Sequence, residues 1–213
     1  MTPGFARWSL TLLAATGGLA VGIIMLMTEP KPDATGPAVI GKTITTGEAQ
    51  IGGPFTLVST RGGTATEQSF RGKHVLIFFG FTSCPDVCPT GLNNISVALE
   101  KLGDGADAVQ PLFITVDPER DTAAVMTAYL RSFDPRFIGL TGGREQIDRV
   151  LKAYRVYAEK QKPEGQSGNY LVSHSGYVYL MDPRGKFVDV ITGSASGEEI
   201  ADWLRKHMPA PHG

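Results

Sequence analysis

The least polar stretch of the chain runs from Trp8 to Thr28, with no charge, proline, Asn, Gln or His. At about 1.5 Å per residue a helix of that length spans roughly 31 Å, the depth of a bilayer's hydrocarbon core. The pattern therefore predicts a transmembrane anchor over 8–28. Arg7 is the one side-chain charge before it, which favours a cytoplasmic segment 1–7 and export of the chain beyond Thr28. A cleaved signal peptide is the rival reading, but its apolar region is shorter and no small-x-small cleavage site comes after Met27. Residues 29–50, rich in Pro, Gly and Thr, read as a tether and lead-in to an exported domain over 51–213. The expected location is the inner (cytoplasmic) membrane, single-pass, with the domain on the periplasmic side.

Within that domain apolar runs alternate with helical periodicity. "FTLVST" (55–60) predicts a strand that turns at Arg61–Thr64. "HVLIFFGF" (74–81) is apolar throughout, as expected of a strand buried on both faces. Apolar residues at 92, 95, 99 and 102 predict a helix that stops at Gly103. "PLFITVD" (111–117) predicts a strand, and "DTAAVMTAYLRSFD" a helix capped by Thr122 with Val125, Met126, Tyr129 and Leu130 on one face. "RFIGL" (136–140), "GREQIDRVLKAY" (143–154) and "VYAEK" predict a strand, a helix and an extended segment. "KPEGQSGNY" (162–170) reads as a polar loop, and "GYVYLMD" with "KFVDVIT" as a hairpin about Pro183-Arg184-Gly185. "SGEEIADWLRKHM" closes as a helix capped by Ser196. The order β–β–α–β–α–β–α–β–β–α implies an α/β sandwich on a mixed central sheet.

Composition changes this picture little: 42% apolar and 19% charged residues suffice for a sizeable core. The charge balance, 20 Lys plus Arg against 21 Asp plus Glu, argues against a nucleic-acid partner, which asks for a basic face.

The chemistry lies in "VLIFFGFTSCPDVCPTGLNNI", which holds the only two cysteines, Cys84 and Cys88. Pro85 disfavours helical geometry at Cys84, and Pro89 fits only a first helical turn. The helix then begins near Asp86–Pro89 with both thiols at its positive end, a setting that favours thiolate. Three readings stand: a structural disulfide, a thiol–disulfide redox pair, and part of a soft-metal site. A disulfide closing so short a loop constrains the unfolded chain little, and two thiolates alone leave a metal underligated. Of four histidines, His74 opens the buried strand remote from the cysteines and reads as structural. His207 and His212, with Met208, belong to a C-terminal tail that would hold metal weakly. His174, in "YLVSHSGYVYL", reads as a loop residue just before a strand and as a candidate ligand; spacing alone does not bring it to the cysteines.

"FTSCPDVCPTGL", "TVDPERDT" and "VSHSGYVYLMDPRGKF", in that order, closely resemble the SCO/SenC family of membrane-anchored copper proteins over about residues 50–207. The resemblance implies a thioredoxin-like fold and one copper, Cu(I) or Cu(II), held by Cys84, Cys88 and His174, with Asp117 an outer-sphere or occasional ligand. It implies a metallochaperone assisting assembly of the dinuclear copper centre of cytochrome c oxidase. The expected partners are the copper-bearing oxidase subunit and other copper chaperones. Ser173 stands where many members have Asp. The chemistry agrees: thiolates suit Cu(I), imidazole suits either state, and structural zinc normally takes four protein ligands. The alternative is a thiol–disulfide oxidoreductase that keeps the acceptor's cysteines reduced or senses redox state. Against it, "LVSHSGY" lacks the proline that such enzymes place before the strand facing their cysteine pair. A peroxidase, needing one activated thiol, fits least.

Overall fold

The computed structural model describes residues 51–161 and 170–208. The expected anchor and tether, most of the 162–170 loop and His212 lie outside the described residues. Among the described residues no helix is long and apolar enough to cross a membrane.

The strands among the described residues are β1 (Thr56–Ser59), β2 (Thr64–Thr66), β3 (His74–Gly80), β4 (Val109–Thr115), β5 (Ile138–Thr141), β6 (Ala158–Gln161), β7 (Leu171–His174), β8 (Tyr177–Met181) and β9 (Phe187–Thr192). Seven form one mixed sheet in the order β2-β1-β5-β4-β3-β8-β9, while β6 and β7 pair separately. The helices are α1 (Val87–Leu102), α2 (Ala123–Leu130), α3 (Arg144–Ala153) and α4 (Gly197–His207). A 3-10 turn spans Glu67–Phe70.

β3 is the axis of the sheet. It runs parallel to β4 and antiparallel to β8, with Phe78 opposite Phe113 and Val178. From Val75 to Gly80 every residue is buried, which explains why its sequence is apolar without alternation. The crossovers β3–α1–β4 and β4–α2–β5 step the same way across the sheet. The right-handed rule therefore puts α1 and α2 on one face. Phe78, the stacked Phe113 (centroids 6.4 Å apart) and Tyr129 of α2 beside it (5.8 Å) mark that face. α4 joins α1 there; the fit is close, since a Cβ on Gly197 would lie 2.4 Å from Val97 Cγ1. Phe79 has the opposite parity and meets Tyr154, beyond α3, on the other face.

The helix ends follow local chemistry. Thr122 accepts from Val125 N, and Ser196 with Glu199 forms a reciprocal box that satisfies two first-turn donors of α4. Gly103 ends α1 with φ at 56°, a conformation that favours glycine.

Three expectations change. Val125 is 42% exposed, so the buried face of α2 is Met126 and Leu130. The turn after β1 leads into a further strand, β2, which the residue pattern does not announce. His174 ends a strand rather than sitting in a loop, because Leu171–His174 pairs with Gln161–Ala158. Ser196→Ala should lower stability by about 1 kcal/mol, measured as a reduced denaturant midpoint with an unchanged m-value; an unaltered midpoint would contradict the capping role of Ser196.

Candidate metal centre

The site forms where β3 ends and α1 begins, the carboxyl end of a parallel pair where open α/β sheets bind ligands. Cys84 enters on a turn, its N–H donating to Phe81 O at 3.2 Å. Asp86 is the N-cap of α1, and Cys88 falls in its first turn. His174 arrives at the same place for a topological reason. β8 is antiparallel to β3, so the chain just before Tyr177 emerges at the carboxyl end of β3.

The result is one group: the Sγ atoms of Cys84 and Cys88 and a ring nitrogen of His174 lie within 4.8 Å of one another. Cys88 Sγ is 3.4 Å from His174 Nε2. Both cysteines are free thiols, Cys88 fully buried and Cys84 9% exposed. The far ring nitrogen, Nδ1, is 3.2 Å from Ser175 O. A carbonyl only accepts, so Nδ1 carries the proton and Nε2 turns its lone pair toward the sulfurs. Phe78 and Phe81 present their rings edge-on to the imidazole at 6.4 and 5.9 Å and wall it with apolar surface.

The two sulfurs differ electrostatically. Cys84 falls from a thiol's ordinary 9.0 to about 4, chiefly because Cys88 donates a hydrogen bond to it, with the N–H groups of Asp86 and Cys88 adding to the effect. Cys88 is driven up, first by that same hydrogen bond and then by burial. One thiolate and one thiol sharing a proton is thus the resting state of the pair near neutral pH.

The residues fit a three-donor metal ion. Donors about 2.0–2.3 Å from one ion, at trigonal or tetrahedral angles, stand about 3.4–4.0 Å apart, and the observed group closes on such an ion with shifts of under about 1 Å. Room for the buried sulfur depends on Gly80: a Cβ there would lie 2.7 Å from Cys88 Sγ and 2.8 Å from Phe113 Cε2.

Asp117 does not belong to this group. Its carboxylate is fully buried, accepts from Arg120 Nε, and takes the Tyr170 hydroxyl at 2.6 Å. Arg120 stacks 3.8 Å from the Tyr170 ring centroid and 5.5 Å from that of Phe81, which in turn flanks His174. Asp117 thus reaches the site through Arg120 and Phe81, and ties the β6–β7 hairpin that carries His174 to the loop after β4. Lys160 pairs with Glu119 at 3.1 Å in the same seam.

Asp121, from the same "DPERD" segment, was not singled out by the sequence. It is fully buried, and its carboxylate accepts from Thr82 N at 3.1 Å, Thr82 Oγ1 at 2.6 Å and Thr115 Oγ1 at 2.7 Å. Burial raises its pKa while the Thr115 and Thr82 hydrogen bonds oppose the rise. The clamp fixes the strand-to-loop step two residues before Cys84. A run of acids directly after a strand was the available signal, but such runs usually lie on the surface.

The remaining histidines lie elsewhere. His74 opens β3, at the end opposite the cysteine loop. His207 is held in the last turn of α4, Nδ1 against Trp203 O at 2.8 Å and Nε2 3.3 Å from Asp189. Ser173 is exposed on β7, its side chain on the alternate parity from His174.

A mixed sheet with a βαβ half and a ββα half, and two cysteines at the start of the first helix, defines a thioredoxin-like protein. Here a histidine from a separate hairpin completes the cysteine pair. The SCO1/SenC family profile matches residues 43–209, and the chain belongs to that family. It is 45% identical to the mitochondrial SCO2 homolog of Bos taurus over 76% of this chain and 62% of that one. An SCO2-like protein of Rickettsia prowazekii is 36% identical over 92% of this chain and 93% of its own length. Among solved structures, Bradyrhizobium japonicum ScoI with copper bound is 47% identical with a TM-score of 0.68, covering 74% of this chain and 99% of that one. The chain spans about 60% of the length of the cattle protein.

The geometry makes two outcomes measurable. Gly80→Ala should displace Cys88 Sγ and weaken Cu(I) affinity by at least about tenfold while costing about 1–3 kcal/mol in stability, read by competition with a Cu(I) chelator; unchanged affinity would show that Gly80 does not set the sulfur's position. In the metal-free reduced protein, thiolate ultraviolet absorbance should report one ionised cysteine from neutral pH downward, lost with a midpoint of about 4. A single midpoint near the ordinary thiol value would contradict the shared-proton pair.

Proposed function

We propose that this chain is a membrane-anchored copper metallochaperone that holds one copper through Cys84, Cys88 and His174 and passes it to a partner. The acceptor in this reading is the copper-bearing subunit of cytochrome c oxidase, at its dinuclear centre. The segment over 8–28 would hold the domain at the periplasmic side of the inner membrane. The observation that carries the reading is the convergence of two sulfurs and one nitrogen within 4.8 Å. Two thiolates are soft enough for Cu(I) and an imidazole serves both copper states, so the set tolerates either. Copper in the ScoI structure of Bradyrhizobium japonicum supports the choice of metal. Three donors on a loop, a helix start and a strand end leave a coordination position for an incoming ligand, which suits transfer better than storage. Asp117, in this reading, acts from outside the donor set through Arg120.

A thiol–disulfide oxidoreductase is the second reading, favoured by the ionised Cys84. Its thiolate would attack a disulfide sulfur and expel one thiolate; Cys88 would then resolve the mixed disulfide, leaving the pair oxidised and the acceptor fully reduced.

Copper titration separates the two. The reduced chain should bind one copper with intense thiolate-to-Cu(II) absorption, abolished in Cys84→Ser. His174→Ala should lose at least about tenfold in affinity, the size of effect that even an outer partner has at other metal sites. Unchanged affinity and spectrum in His174→Ala would refute the three-donor site. Turnover of protein disulfides by the metal-free chain, indifferent to His174, would favour the reductase instead.

A further inference from the structure

Tyr129, in the last turn of α2, carries a group that the metal centre described above leaves unused. Its ring packs against Phe113, with centroids 5.8 Å apart, and against Phe133 at 5.3 Å. Its hydroxyl is shut off from solvent and has no hydrogen-bond partner among the described residues. A buried hydroxyl without a partner is costly, and native structures rarely leave one so. Phe113 leads from this ring to the cysteines: a Cβ on Gly80 would lie 2.8 Å from Phe113 Cε2 and 2.7 Å from Cys88 Sγ.

The charged groups near the hydroxyl are all acceptors. Burial raises the phenol above its ordinary 10.0, and Cys88, Cys84 and Asp121 add to the rise. Two of these three are already well supplied with donors. Asp121 accepts from Thr82 N, Thr82 Oγ1 and Thr115 Oγ1. Cys84 is served by the Cys88 thiol and by the N–H groups of Asp86 and Cys88. Cys88 Sγ is fully buried, and the N–H of Phe81 is its one backbone donor.

In the metal-free chain that single donor suffices, because Cys88 keeps its proton. The demand changes with metal, on the copper-binding reading proposed above. Both sulfurs must then be thiolates, and the added charge falls on the more buried sulfur with fewer donors. Two thiolates and a neutral imidazole leave one net negative charge around Cu(I) and none around Cu(II). A further hydrogen bond to sulfur therefore favours the reduced ion, as hydrogen bonds to ligand sulfurs do at other metal sites.

We infer that the Tyr129 hydroxyl is a donor held in reserve for the Cys88 thiolate, a positioning residue that acts through that sulfur to favour bound Cu(I) over Cu(II).

The test compares the full chain and Tyr129→Phe, which keeps the ring, in lipid nanodiscs. Tyr129→Phe should weaken Cu(I) about tenfold by chelator competition, the worth of one hydrogen bond to a charged acceptor, and weaken Cu(II) less. The thiolate-to-Cu(II) absorption should move to longer wavelength. In the metal-free chain the denaturant midpoint should stay or rise, since the lost hydroxyl has no partner there. With 13Cζ-labelled tyrosine, the Tyr129 signal should shift when Cu(I) is added to the parent. Equal Cu(I) affinity in the two chains, or a Tyr129 signal unmoved by Cu(I), would overturn the inference alone. So would an equal loss for both ions with a lowered metal-free midpoint, which would mark Tyr129 as a packing residue. A parent chain that binds no copper would overturn the copper reading and this inference together.

Discussion

The close approach of His174 Nε2 to Cys88 Sγ, 3.4 Å across 86 positions of sequence, is the contact on which the rest of the site depends. Neither the cysteine pair nor the histidine makes a metal site alone. What joins them is the antiparallel register of β8 on β3, which returns the chain to the end of the strand that launched the cysteine loop. A register shift of one residue would turn alternate side chains to the other face. The buried aromatic stack of Phe78 and Phe113 beneath the site makes such a shift expensive.

Around that contact the fold sets three further conditions. The absence of a side chain at Gly80 leaves the volume that Cys88 Sγ occupies. Asp121 holds the backbone at Thr82, so the loop bearing Cys84 leaves β3 in one direction. Asp117, Arg120 and Tyr170 hold the β6–β7 hairpin, and therefore His174, against the loop after β4. Two buried carboxylates of one short segment thus each anchor a different part of the donor set. Truncating either strands hydrogen-bond donors in a dry environment, where an unpaired group costs more than a hydrogen bond contributes.

Much of this was legible in the sequence wherever the determinant is local. Pro85 and Pro89 placed the start of α1, Thr122 and Ser196 marked their caps, and the unbroken apolar run of β3 announced a central strand. The donor set became legible through motifs rather than periodicity, since nothing in the spacing of Cys88 and His174 shows that they meet. Long-range determinants were hidden. β7 owes its strand character to pairing with β6 across a polar loop, so "LVSH" alone did not disclose it. Asp121 resembles any surface acid until the fold buries it. Val125 was misplaced because a helix as short as α2 permits more than one apolar face under the same period.

X-ray absorption at the copper edge of the Cu(I)-loaded chain reads the donor set itself. Two sulfurs and one nitrogen are expected in the inner shell, with the nitrogen and its imidazole outer-shell scattering lost in His174→Ala. A shell of two sulfurs alone, unchanged by that substitution, would contradict the three-donor centre.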